Sequence, residues 1–110
     1  MENLSMIKGD TFSFTVQIIG LQENLSEAYF SCKKNKSDET YVFQKSLGDG
    51  IEVAETTTDY IAYQVTVAPT DTNSIEAGKY YYDLQITTAE GDVFTPLNAV
   101  LTIIEDVTDN

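Results

Sequence analysis

The chain has 110 residues, of which 42% are hydrophobic and 11% aromatic; this excludes a disordered segment and suits one domain with one core. Six lysines stand against 18 carboxylates, with no arginine and no histidine, for a net charge of −12. That balance disfavours nucleic acid and anionic membrane surfaces as partners, because displacing counterions from phosphates needs positive charge. The one basic cluster, Lys33, Lys34 and Lys36, is small and reads as a solvated strand end.

From the N-terminus, "MENLSMIKGD" lacks the charged-then-apolar layout of a signal peptide, and no run approaches the ~20 apolar residues of a membrane span. The expectation is of a chain made in and kept by the cytoplasm. "TFSFTVQI" then alternates apolar and polar residues with period two, the pattern of a strand with one buried face. Phe12, Phe14, Val16 and Ile18 point inward, and Thr11, Ser13, Thr15 and Gln17 outward. "AYFSCK" repeats the pattern with Ala28, Phe30 and Cys32 inward. Shorter strands are expected over Tyr41 to Lys45 and Ile51 to Ala54, followed by "YIAYQVTV" with Ile61, Tyr63, Val65 and Val67 inward.

After a single helical turn expected near Asp71 to Glu76, "GKYYYDLQIT" alternates again. A short strand follows over Asp92 to Thr95, joined to its predecessor by an "AEGD" hairpin in which Gly91 supplies positive φ. The last strand, Ala99 to Ile104, is apolar on both phases, so either Leu101 and Ile103 or Val100, Thr102 and Ile104 face inward. Turn signals such as "IIGLQEN", "KNKSDET", "LGDG" and "APTDTNSIEAG" separate these runs. Seven or eight short antiparallel strands without sustained helices give an all-β sandwich or barrel. One domain is expected over residues 1–106, with an acidic tail at 107–110.

The three consecutive tyrosines pose the functional question. Period two places Tyr80, Tyr82, Leu84 and Ile86 on one face and Tyr81, Asp83, Gln85 and Thr87 on the other. The layout is similar to the corner before the F strand of immunoglobulin-like sandwiches, where a tyrosine hydroxyl returns to backbone a few residues upstream. Tyr80 or Tyr82 would take that structural role, leaving Tyr81 at the surface.

Without histidine, the serine and cysteine triads and the common zinc sites are absent. Cys32 falls on an inward phase beside Phe30, where a thiolate is disfavoured, and as the single cysteine it has no internal disulfide partner. Most carboxylates lie in loops or on outward phases, where solvent gives them no special acid–base power. No glycine-rich phosphate loop follows a strand and opens a helix. No enzyme activity, cofactor or bound metal is therefore expected. The oxygen-rich composition makes calcium the alternative to consider, and "EDVTDN" resembles the "DxNDN" linker of cadherin repeats; Thr108 replaces its first asparagine and no "DRE"-like companion is present, so the tail reads as solvated acidic chain.

Taken in order, "IKGDTFSFTVQI", "AYFSCKKNKSDETYVFQKS", "VAPTDTNSIEAGKYYYDLQIT" and "GDVFTPLNAVLTIIEDVT" resemble the immunoglobulin-like N-terminal domain of phage baseplate upper proteins and related small virion proteins. The shared features are a "GDT" opening the first long strand, a "KKN" before an acidic turn, a "P-x-DT" turn leading to "G-x-Y-x-YD", and a closing "I-x-x-DVT". The resemblance spans nearly the whole chain and implies an immunoglobulin-like antiparallel β-sandwich of seven to eight strands. It also implies a virion location in a protein made in the host bacterial cytoplasm, with self-association or contact with other virion proteins as its work. Tyr81, Tyr29 and Tyr41 are the candidate interface residues. The alternative is a bacterial surface or adhesion module of the same fold that binds a carbohydrate or protein and is stabilised by calcium.

Overall fold

The computed structural model describes residues 3–21, 23–105 and 107. Eight strands and one helical turn follow in chain order: β1 (Leu4–Ile7), β2 (Phe12–Ile19), β3 (Glu27–Lys33), β4 (Phe43–Leu47), β5 (Gly50–Thr56), β6 (Tyr60–Val67), α1 (Pro69–Thr72), β7 (Gly78–Thr87) and β8 (Val93–Ile104). Hydrogen bonds link the strands in the order β1-β8-β7-β3-β4-β5-β6-β2. The β4–β5 link is only two parallel pairs, Ser46 with Gly50 and Leu47 with Ile51. There the sheet turns over on itself, giving one layer of β1, β8, β7, β3 and β4 and a second of β5, β6 and β2. Gly50 enables the turn: its φ is +99°, and a Cβ would lie 2.9 Å from the Lys45 stem.

The inward sets of both layers meet in one core. Phe30 of β3 lies at its centre, 5.4 Å from the ring of Phe14 on β2, 5.3 Å from Tyr82 on β7 and 6.1 Å from Phe43 on β4. Because β2 and β3 stand in different layers, the Phe14–Phe30 contact is made across the sandwich. Strands β2, β6 and β5 on one side and β3, β7 and β8 on the other, with β1 parallel to β8, give the arrangement of an immunoglobulin-like sandwich. An aromatic cluster around Phe30 occupies the centre of the core, in a chain with no tryptophan and a single cysteine and so without the disulfide and tryptophan of antibody domains.

The connection from β6 to β7 is held at four points. Pro69 starts α1, and the Ala68 N–H donates to Asp71 Oδ2 at 2.7 Å. The same oxygen receives Lys45 Nζ at 2.7 Å, tying the turn to β4. Buried Thr72 accepts from the Gly9 N–H at 2.8 Å, tying it to the β1–β2 turn. Tyr80 donates its hydroxyl to the Glu76 carbonyl at 2.6 Å, so the corner hydrogen bond belongs to Tyr80. Tyr82 sits two residues on, 3% exposed, with its ring tilted 41° against that of Phe30.

Several sequence expectations change in detail. The strands expected over Asp92 to Thr95 and Ala99 to Ile104 form a single β8, which runs through Pro96 with a register irregularity opposite Gln85. That proline is tolerated because this part of β8 is a sheet edge, β1 pairing only from Leu101 onward. β4 starts at Phe43, leaving Tyr41 before the strand, and the helical turn falls at Pro69–Thr72 rather than Asp71 to Glu76. β1, whose "LSMI" carries little alternation, was not foreseen. Leu101 and Ile103 are the inward pair of the last strand, with Ile104 exposed. The sandwich is not purely antiparallel, since β1–β8 and β4–β5 pair in parallel.

Candidate binding groove on the outer sheet face

Strands β4, β3, β7 and β8 lie side by side, and their outward residues fall into cross-strand rows set by register. Gln44, Ser31, Asp83 and Asn98 form one row spanning all four strands. On one side of it lie Lys33 and Tyr81, paired across β3 and β7; on the other lie Tyr29 and Gln85, paired across the same strands. These residues, with Tyr41 and Lys36, line an open groove of about 620 Å³. The volume is within the roughly 300–1,000 Å³ typical of ligand pockets.

The row is held in place by its own contacts. Gln44 Nε2 donates to Ser31 Oγ at 2.9 Å, and Ser31 is buried beneath it. Partial burial pushes the Asp83 carboxyl above its ordinary value, an effect that nearby Lys33 opposes. The Tyr29 hydroxyl donates to Glu27 Oε2 at 3.2 Å; the adjacent carboxylate charge is the main reason its phenol titrates high.

The lysine cluster is more organised than a solvated strand end. Lys33 Nζ donates to the Asp38 carbonyl at 2.6 Å and lies 5.2 Å from the Tyr41 ring centre. Lys34 Nζ lies 4.6 Å from the Tyr80 ring and Lys36 Nζ 5.3 Å from the Tyr81 ring. Each lysine of "KKNK" thus covers a tyrosine, an interaction worth about 0.5–1 kcal/mol at exposed positions.

The structure brings Tyr29, Tyr41 and Tyr81 into one groove, although they come from three places in the chain. Tyr80 and Tyr82 are directed into the core. Sequence reasoning missed Gln44, Ser31 and Asn98. Outward phase was the available signal, but only the pairing register shows that they form a line with Asp83. The groove offers amides, hydroxyls, a carboxylate, two ammonium groups and phenol rings, a chemistry of hydrogen bonds and ring contacts. Cys32 lies on the opposite face of β3 with its thiol pushed up to about 12 by burial. Among the described residues no group of three or more histidine, cysteine or carboxylate side chains is placed to hold a metal ion. The tail residues 108–110, on which the cadherin-like comparison depends, lie outside the described residues.

The fold places the chain among immunoglobulin-like β-sandwiches, with a polar and aromatic groove on the outer face of the larger layer. No protein-family model and no curated protein matches the sequence. Among solved structures, murine CRIg is similar over 96% of this chain and 93% of that chain, at 11% identity and a TM-score of 0.40, a likeness that carries no functional argument.

Proposed function

We propose that the chain is a non-enzymatic structural module of a phage virion, assembling through protein–protein contacts within a tail or baseplate. The order of turn motifs along the sequence supports the virion assignment. The observation that carries the contact role is the gathering of Tyr29, Tyr41 and Tyr81 around one polar row on a sheet face. Tyrosine combines large contact area with few rotatable bonds and is enriched where proteins bind one another. With a net charge of −12, the free subunit stays soluble, and a partner would have to present basic or neutral surface away from the lysine turn. The test is a binding screen of the full chain against the structural proteins of the same virion. Retention of a tail protein that is lost in Tyr29→Ser/Tyr81→Ser supports the proposal. Absence of any such partner, or binding unaffected by both changes, overturns it.

A second reading is favoured by the row Gln44–Ser31–Asp83–Asn98, whose amides and carboxylate suit the hydroxyls of a carbohydrate. In that case the chain is a bacterial surface or adhesion module. Binding to a glycan array through the same groove would select it.

A further inference from the structure

We infer that β2 is a docking edge for a second copy of this chain, joining the two smaller layers into one continuous sheet. The strand has eight residues and pairs with β6 along its whole length. Among the described residues no other strand pairs with it, so one row of backbone N–H and C=O groups is left along its outer side. In a sandwich where the first strand runs beside β2, that row would be satisfied. Here β1 pairs with β8 in the other layer instead.

Exposed edges are ordinarily blunted by charge, proline, bulges or short length. The remaining edges of this protein carry such devices. β1 has only four residues, and the free part of β8 contains Pro96 opposite an irregular register. β5 carries Glu52 and Glu55 and a register shift between Val53 and Glu55, and β4 has only five residues. "FSFTVQII" has no charge, no proline and no bulge against β6, in a chain whose net charge is −12. It is a long edge on which two copies meet without opposing like charges.

Burial supplies an independent observation. The inward residues of β3 and β6 are fully buried, whereas Phe12, Phe14, Val16 and Ile18 are only partly covered. A second β2 alongside would continue the core past them. An antiparallel pair must keep both apolar rows on one face, since a one-residue slip would turn one of them to solvent. A register meeting that condition sets Phe12 opposite Ile18, Phe14 opposite Val16, and Thr15 opposite its own copy on the two-fold axis. This edge belongs to the smaller layer and the groove to the larger, so dimerisation leaves the groove open.

The inference rests on the reading of the chain as an assembly module, but the two fail separately. Sedimentation equilibrium of the full chain, up to millimolar concentration, is expected to show a reversible dimer. Thr15→Lys reduces the magnitude of the negative net charge and by general electrostatics favours association, yet it sets two ammonium groups against each other on the axis. It is expected to give a monomer with an unchanged circular dichroism spectrum. Thr15→Cys is expected to form a disulfide-linked dimer under mild oxidation, with buried Cys32 not competing. A wild-type monomer at millimolar concentration, a dimer undisturbed by Thr15→Lys, or no cross-link in Thr15→Cys overturns the inference. Tyr29→Ser/Tyr81→Ser is expected to leave the dimer intact, so a lost groove partner and a lost dimer are read apart.

Discussion

Truncating neighbouring tyrosines should give opposite answers, because Tyr81 and Tyr82 differ by one step in strand phase. Tyr82 is 3% exposed and its ring lies 5.3 Å from Phe30 at the centre of the core. Removing roughly 150 Å² of buried ring at ~25 cal/mol per Å² forfeits about 4 kcal/mol, within the ~3–5 kcal/mol seen for core aromatic truncations. Tyr81 is partly exposed, and its described ring contact is Lys36 at 5.3 Å, so Tyr81→Ala should cost about 1 kcal/mol or less. The expected gap is therefore about 3 kcal/mol, a large fraction of the total stability of a domain this size. Urea unfolding followed by circular dichroism measures it, provided the slope m is the same in both variants. Losses within 1 kcal/mol of each other would refute the phase assignment of β7 and with it the division between core and groove.

Tyr80→Phe removes the donor to the Glu76 carbonyl while keeping the ring, and should cost about 1–2 kcal/mol by the same unfolding assay. For Asp83, burial raises the carboxyl above its ordinary 3.8, so the folded state holds this proton more tightly than the unfolded chain does. Its contribution to stability then falls as pH rises from the unfolded value through the higher folded one. Asp83→Asn should accordingly be more stable than wild type at neutral pH, with the difference closing below the unfolded value; melting temperatures across that range check this. Lys45→Met strands Asp71 in a site where the two side chains are 12% and 16% exposed, and the cost should lie between the ~0.5 kcal/mol of an exposed pair and the ~3 kcal/mol of a buried one. Cys32, with its thiol pushed up to about 12, should react with a disulfide reagent at mildly alkaline pH only after unfolding, read as thiol release with and without denaturant.

The sequence by itself determined the part of the core that clearly alternating strands supply. Period-two alternation needs only the pleat of a strand, so Ala28, Phe30 and Cys32, the inward set of β6, and Tyr80 with Tyr82 were legible without knowledge of any partner strand. The same rule placed Tyr81 outward and divided the tyrosine row. Where alternation failed the sequence was silent: the last strand is apolar on both phases, and Leu101 and Ile103 became the inward pair through packing between β7 and β1. β1 is too short to show a period, and the fusion of two expected strands into β8 depended on an edge where Pro96 needs no ladder donor. Tertiary structure alone decided the groove and the open edge. Register sets Ser31 beside Asp83 and Gln44, bringing together residues distant along the chain, and local pattern carries no information about that offset. The pairing of β1 with β8 left β2 without an outer neighbour, a consequence of chain path that no feature of "FSFTVQII" announces.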